Sequence, residues 1–463
     1  MVRCLVLSLF VCALSAQSPD WSKVEEETMR HFQALLRFDT SDPPGNEAPA
    51  VNYIKSVFEA EGVPFKILAL EAHRPNLVAR LKGNGRKRPL LIMGHTDVVN
   101  VDPRRWTFPP FSATRNGGWV YGRGTVDDKD NLVACMMVML LLKRLNVPLD
   151  RDVIFLAESG EEGSVRFGID YMVKNHWNEI DAEFCFAEGG GVIRTGGQPR
   201  YASFSTAEKI PYALRMVARG PAGHGSRPLR TNSIAHLAQA VAKVAAWQPP
   251  MRLNDTTRAY FERLATISAP DKASRYNNIV NPRRTAEIQE YFAENEPGHN
   301  SMLRTSISPN IIRAGYRVNV IPSEAEATLD VRALPDESID AFAEQIRKVV
   351  ADPAVTLERI ERDTRPGAPP SRLDTEAFRV LEVNVKRHYN DIITLPTMQT
   401  GATDMAYLRT RGVQSYGVGP MIDEEDGPKG FGAHSDQERI LEIALHRFIR
   451  FHWDIVVDMA GAR

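Results

Sequence analysis

The sequence has few cysteines, no excess of one charge, and no apolar run long enough to span a membrane. Four cysteines in 463 residues exclude a small domain held together by disulfide bonds. Lys and Arg total 57 against 58 Asp and Glu, so no broad field attracts nucleic acid or anionic lipid. Hydrophobic residues at 43% and charged residues at 25% are typical of a soluble globular protein. We therefore expect no nucleic-acid and no membrane partner, and the length predicts two or three domains.

The first residues are typical of a secretory signal. Arg3 precedes an apolar run over residues 4–14, and we predict a signal peptide over residues 1–16. The run is about half of the roughly 20 apolar residues that a membrane-spanning helix needs, so we expect periplasmic or extracellular export rather than anchoring. The exported chain would keep only Cys135 and Cys185, whose apolar surroundings predict buried, unreactive thiols.

Two patterns of strands and helices succeed each other along the chain. Alternation over residues 66–187 predicts an α/β, doubly wound, mostly parallel sheet with helices on both faces. A β-α-β-β-α-β order then predicts an inserted ferredoxin-like α+β domain over residues 209–367. We expect residues 17–208 and 368–463 to form the two parts of the catalytic domain. The strands of the inserted domain are predicted at 212–218, 312–320, 324–332 and 355–360.

Two segments fit neither pattern. Residues 251–310 lack clear periodicity and are too long for a plain loop, so we expect an insertion with some helix of its own that covers the site. Residues 365–370, RPGAPP, have the composition of a stiff linker.

Histidines and acidic residues follow the predicted strands or precede helices. Because ligands bind beyond the carboxyl ends of parallel strands, we expect these side chains to meet at one edge of the sheet. Imidazole and carboxylate ligands suit divalent ions such as Zn²⁺, and one further carboxylate could act as a general base on metal-bound water. In chain order these residues are His95, Asp97, Asp127, Glu161, Glu162, Glu188 and His434.

Seven motifs resemble, in order, those of the co-catalytic di-zinc peptidase and amidohydrolase family: GHTDVV, GRGTVDDKD, ESGEEGS, FAEGGG, GPAGHGS, NVIP with LDVR, and GAHSD. The family includes aminoacylases, glutamate carboxypeptidases, succinyl-diaminopimelate desuccinylase and acetylornithine deacetylase. GRGTVDDKD and WTFPPFS resemble most its carboxypeptidase S and N-acyl-amino-acid amidohydrolase branch. The resemblance covers nearly the whole chain after the signal.

The resemblance implies a site for two Zn²⁺ ions per subunit, in which Co²⁺ can substitute. It implies that His95 and Glu188 hold one zinc, that Glu162 and His434 hold the other, and that Asp127 bridges both. It also implies a cis peptide bond after Asp127.

The same resemblance implies roles for residues around the metals. Glu161 would be the general base, and Asp97 would orient His95. His224 would reach the active site of a partner subunit and stabilise the oxyanion. Substrate binding falls to Asn319, Arg332 and Gly401.

We therefore expect a metallohydrolase that cleaves the amide bond of short peptides next to a free carboxylate, as carboxypeptidases and dipeptidases do, by attack of a metal-bridging hydroxide. An N-acyl-amino-acid amidohydrolase, such as an aminoacylase or deacetylase, is the alternative enzyme. A metal-dependent peptide-binding module is the alternative outside the enzymes. The inserted domain is expected to act as lid and dimerisation domain of a homodimer, unless residues 251–310 cover the dimer face and leave a monomer.

Overall fold

The computed structural model describes residues 18–361 and 365–462, and the predicted signal peptide lies outside the described residues. Within this part of the chain, no helix is long and apolar enough to cross a membrane. The helices are α1 (Trp21–Leu36), α2 (Ala48–Glu61), α3 (Lys129–Arg144), α4 (Ile169–Asn175), α5 (Trp177–Ile180), α6 (Ser233–Ala246), α7 (Asp255–Thr266), α8 (Pro270–Tyr276), α9 (Thr285–Asn295), α10 (Pro297–Met302), α11 (Ile339–Val350), α12 (Glu376–Tyr389), α13 (Met405–Thr410) and α14 (Glu442–Ala460).

The strands form one large and one smaller sheet together with two short ribbons. They are β1 (Phe65–Ala69), β2 (Pro75–Leu81), β3 (Leu90–His95), β4 (Thr114–Asn116), β5 (Trp119–Tyr121), β6 (Val153–Glu158), β7 (Phe184–Ala187), β8 (Gly190–Thr195), β9 (Gln198–Glu208), β10 (Ile210–Arg219), β11 (Gly223–His224), β12 (Ser306–Ala314), β13 (Val320–Ile321), β14 (Glu324–Ala333), β15 (Val355–Ile360), β16 (Ile393–Gln399), β17 (Gln414–Gly417), β18 (Met421–Asp423) and β19 (Arg439–Leu441).

The large sheet has the order β1-β2-β6-β3-β7-β17-β9-β8-β18, with β16 beside β9. Its centre is parallel, because β3 runs parallel to both β6 and β7, and β7 runs parallel to β17. Antiparallel pairs occur towards the edges, as between β2 and β6 or β8 and β9. The predicted mostly parallel sheet is confirmed.

Helices cover both faces of this sheet. Successive side chains of a strand point to opposite faces, so Leu90 and Ile92 of β3 join the core that contains α3, whereas Leu91 and Met93 join the core with α4 and α13. Helix α3 is buried at every position from 129 to 142, which explains its apolar sequence on all sides. The first core also holds α1, α2, α12 and α14.

The smaller sheet has the order β12-β14-β10-β15, with α6 and α11 packed on one face. This is the ferredoxin-like arrangement that the sequence predicts. The predicted strand over 312–320 is wrong: β12 ends at Ala314, because Gly315 takes a left-handed φ of 65° that turns the chain.

Residues 251–310 contain helices α7 to α10 and the first five residues of β12. The helices pack on the large sheet, and Leu334 of the inserted domain belongs to the same core. Phe261 and Leu264 of α7 share a core with Leu395 and Met398 of β16 and with Ala207 of β9. The apolar side chains of this segment support β9 and β16, and the expectation that it covers the site stays a prediction.

Candidate metal centre

Three neighbouring parallel strands bring His95, Glu162 and Glu188, three of the five predicted ligands, to one edge of the large sheet. Strand β3 ends at His95, and its neighbour β6 ends three residues before Glu161. On the other side of β3, strand β7 is followed directly by Glu188. Because these strands are parallel and adjacent, their carboxyl ends lie side by side.

Asp127 lies between the two histidines of the cluster. Its Oδ1 is 3.1 Å from His95 Nε2, and its Oδ2 is 3.0 Å from His434 Nε2. The same nitrogen of His434 is 2.9 Å from Glu162 Oε1. A carboxylate whose two oxygens face two separate imidazoles can bridge two cations. The peptide bond between Asp127 and Asp128 is cis, as the resemblance implies.

The remaining carboxylates close the cluster around His95. One ligand atom from each of His95, Glu161 and Glu188 lies within 4.8 Å of the others, and the same holds for His95, Asp127 and Glu162. The structure therefore brings every predicted metal ligand into one group, and it places Glu161 in that group as well.

Asp97 fixes both His95 and the loop after β6. His95 Nδ1 is 3.0 Å from the backbone oxygen of Asp97 and 3.5 Å from its Oδ1. The buried carboxylate of Asp97 accepts the backbone N–H groups of Glu161 at 3.1 Å and Glu162 at 2.9 Å. Asp97 thus connects the end of β3 to the loop after β6.

The electrostatics of the cluster fit a divalent cation. Burial, with a further contribution from the Glu161 charge, raises the pKa of Glu188 well above its usual range. Burial also raises the pKa of Glu162 despite its contact with His434. Hydrogen bonds to Asp127 and Glu162 raise the pKa of His434 to about 10. Buried carboxylates that are hard to ionise gain most from a bound cation, and imidazole and carboxylate donors suit zinc.

Two residues predicted to act in catalysis or substrate binding, His224 and Asn319, have their hydrogen bonds within the inserted domain. His224 is exposed on β11, where its Nδ1 accepts hydrogen bonds from the Ser226 backbone N–H at 3.1 Å and hydroxyl at 2.7 Å. It lies opposite Val320 of β13, beside the exposed Asn319, whose carbonyl accepts the Gly225 N–H at 2.9 Å. Among residues 18–361 and 365–462, no hydrogen bond or ion pair of His224 reaches the cluster.

The other two predicted substrate residues occupy separate places. Arg332 is half-buried on β14 and donates from Nε to Asp330 Oδ1 at 3.0 Å. Gly401 is exposed in the loop after β16. Gln399, the last residue of β16, donates from Nε2 to the backbone carbonyl of Gly189, the residue after Glu188, at 2.8 Å.

An arginine that sequence reasoning missed joins the cluster from the predicted linker. Arg365 Nη2 donates to the carbonyl of Glu161 at 2.8 Å and contacts Glu161 Oε1, while its Nε donates to Asp404 Oδ1 at 3.1 Å. No sequence signal pointed to these contacts, because Arg365 stands in a proline-rich stretch and matches none of the motifs.

Residues 91–457 match the model of peptidase family M20/M25/M40. The chain belongs to this family. "Probable carboxypeptidase S-like 2" of Dictyostelium discoideum is 26% identical over 377 residues, which cover 80% of this chain and 71% of that protein. The human N-fatty-acyl-amino acid synthase/hydrolase is 27% identical over 382 residues, covering 80% of this chain and 74% of that protein.

The fold of this M20 protein is similar to that of solved family members. The crystal structure of an M20 family metallo-carboxypeptidase from Sulfolobus solfataricus matches with a TM-score of 0.67 at 19% identity, over 93% of this chain and 98% of that one. M20 proteins are hydrolases that act on amide bonds, so the predicted enzyme class is confirmed. They are typically dinuclear metal-binding peptidases.

Proposed function

We propose that the protein is an exported, zinc-dependent M20 hydrolase that cleaves the amide bond next to the free carboxylate of short peptides. The observation that carries this proposal is the convergence of two imidazoles and four carboxylates at the ends of β3, β6 and β7. Export rests on the signal-like residues 1–16 alone. N-terminal sequencing of protein recovered outside the cytoplasm, expected to start at Gln17, tests it.

Five side chains would hold two zinc ions. His95 and Glu188 lie on one side of the cluster, Glu162 and His434 lie on the other, and Asp127 lies between the two histidines. Bound divalent ions would polarise the substrate carbonyl and lower the pKa of water.

Glu161 is the residue that would move the proton. Its carboxylate lies beside His95 and Glu188, where it can accept a proton from water and return it to the leaving amine. Asp97 holds the Glu161 backbone in place. The substrate carboxylate would be held by Asn319 and Arg332, since a guanidinium pairs well with a carboxylate.

An N-acyl-amino-acid amidohydrolase is the second candidate. It is favoured by the 27% identity to the human protein named as an N-fatty-acyl-amino acid synthase/hydrolase. Both substrate classes present an amide next to a free carboxylate, so the same site could serve either. The walls of the substrate pocket, which the Gly401 loop would line, decide between them.

A substrate panel separates the candidates. Dipeptides, N-acetyl amino acids and long-chain N-acyl amino acids are incubated with zinc-loaded and cobalt-loaded protein, each beside its C-terminally amidated analogue. Faster hydrolysis of dipeptides supports the first candidate, and faster hydrolysis of N-acyl amino acids supports the second. Amidation is expected to lower kcat/KM by about 10²-fold or more. Tight binding without turnover would instead indicate a binding module, and no hydrolysis of any member contradicts both enzyme proposals.

We also propose a homodimer formed through the inserted domain. Strand β12 is an edge of the four-stranded sheet, and Ile311 and Ile312 on it are 46% and 59% exposed. An exposed edge with apolar side chains is a template for pairing with another chain. In such a dimer His224, whose hydrogen bonds in the described part of the chain are with Ser226 and not with its own cluster, would serve the cluster of the second copy.

A further inference from the structure

Two connections lead between the inserted domain and the catalytic domain. Lys209 alone joins β9 to β10, and Arg365 follows β15 and precedes α12 in the chain. Arg365 is charged, yet its side chain is only 15% exposed. A guanidinium is buried at such a place only when it is well paired, so its partners indicate its purpose.

Both partners of Arg365 belong to the large sheet and its loops. Asp404, at the start of α13, receives the Nε hydrogen bond, and its side chain is 2% exposed. Glu161 receives Nη2 through its backbone carbonyl and is contacted through its carboxylate. The planar guanidinium thus connects the buried Asp404 to Glu161, the first residue of the glutamate pair Glu161 and Glu162.

Asp97 holds the same glutamate pair from the other direction. It accepts the N–H groups of Glu161 and Glu162, while Arg365 binds the carbonyl and carboxylate of Glu161. The two carboxylates point to different partners, Glu161 to Arg365 and Glu162 to His434. Holding the backbone from both sides keeps them apart.

Glu161 needs this restraint because it lies within reach of a cation. Its ligand atom is within 4.8 Å of those of His95 and Glu188, the pair that would hold one zinc. An unpaired carboxylate at that distance would bind the cation as an extra ligand, and a metal-bound carboxylate is a poor proton acceptor.

We propose that Arg365 is a positioning residue that keeps the Glu161 carboxylate out of the metal ligand set, so that Glu162 binds metal and Glu161 stays available to accept a proton. This inference rests on the proposed function for the role of Glu161. Lysine cannot replace the arginine fully, since one ammonium cannot span Glu161 and Asp404 as the flat guanidinium does.

The test compares cobalt-loaded R365M and R365K with the wild type and with R372M. Arg372 is the matched control, because its side chain is 70% exposed and its ion pair is with Asp374. For R365M we expect a kcat about tenfold to hundredfold lower with KM nearly unchanged. We also expect tighter cobalt binding at one site and a shifted visible cobalt spectrum, because an extra carboxylate joins the metal. R365K should fall between R365M and the wild type, and R372M should match the wild type.

Two results would overturn the inference. A wild-type cobalt spectrum and affinity in R365M would show that Glu161 does not move to the metal. A raised KM with unchanged kcat would make Arg365 a substrate ligand instead. If the wild type hydrolyses no substrate, the proposed function fails, but the cobalt spectra still decide where Glu161 lies. If circular dichroism shows that R365M is unfolded, R365K and D404N carry the same comparison.

Discussion

Glu161 and Glu162 are adjacent in sequence and belong to one cluster, yet the proposed chemistry gives them different tasks. Glu161 faces Arg365, whereas Glu162 faces His434. Replacing Glu161 by Gln keeps the size of the side chain but removes the proton acceptor. We expect kcat to fall by about 10²–10⁴-fold while bound zinc, measured by mass spectrometry, stays as in the wild type.

The control for that variant is E59Q, which changes an exposed glutamate of α2 and should leave kcat unchanged. If E161Q turns over substrate at the wild-type rate, Glu161 is not the base.

The sequence predicted which side chains would cluster, because each stands next to a strand end or helix start within a recognisable motif. It could not predict Arg365, whose partners lie 204 and 39 residues away. Nor could it show that Asp97 binds two backbone N–H groups, since these belong to a loop 64 residues further on.

At the scale of elements, Asp97 connects the end of β3 to the loop after β6. Replacing it by Ala removes two hydrogen bonds to that loop and leaves the contact of His95 with the backbone oxygen. We expect zinc affinity to fall by about tenfold to hundredfold, measured by competition with a chelator. The control is D102A, because Asp102 follows β3 as Asp97 does but caps a short 3-10 turn over Pro103–Arg105 instead of the loop after β6. Equal zinc affinity of D97A and wild type would show that Asp97 has no part in building the centre.

Helix α14 carries a buried histidine that makes stability depend on pH. His452 lies 3.8 Å from the Cys135 sulfur, and burial lowers its pKa to about 3. In the unfolded chain its pKa is about 6.5, so below that pH only the unfolded state takes up the proton. This group alone should lower the free energy of unfolding by about 1.4 kcal/mol per pH unit from about pH 6.5 towards pH 3.

Urea unfolding of metal-free protein across this pH range checks that prediction. In H452F the free energy of unfolding should depend less steeply on pH, because the buried imidazole is gone. H73N, a change at an exposed position, should keep the wild-type pH dependence. The same slope in H452F would contradict the assignment.

Elements with strong periodicity were predictable, and those stabilised by distant partners were not. The long apolar run of α3 predicts a buried helix from its own sequence, without knowledge of what packs against it. Strand β9 was missed because Pro199 and small polar residues obscure its pattern, although Ser205 and Thr206 are fully buried in the sheet. Strand β12 was placed six residues late at its start, because most of it is exposed and lacks alternation.

At the scale of the whole molecule, the order of the ferredoxin-like strands followed from the succession of elements alone. The packing of residues 251–310 on the large sheet did not follow from that succession, because their packing partner β16 lies far along the chain.

The proposed dimer predicts complementation between two inactive variants. E161Q lacks the base of its own site, and H224A lacks the histidine that serves the partner. When equal amounts are mixed and allowed to exchange subunits, half of the dimers are mixed, and each has one complete site. We expect recovery of about a quarter of wild-type activity. Light scattering of the wild type should show dimers. A monomer, or mixtures that exchange subunits but recover no activity, would contradict the shared site.

Metal titration of the stripped enzyme shows whether the cluster is a two-metal hydrolytic centre. Protein treated with a chelator is titrated with Zn²⁺ or Co²⁺, and hydrolysis of the best substrate of the panel is measured at each step. We expect the stripped protein to be inactive and the activity to rise to a plateau when two ions are bound per chain. Full activity in the stripped protein, or no binding and no restored hydrolysis with either metal, would contradict this expectation.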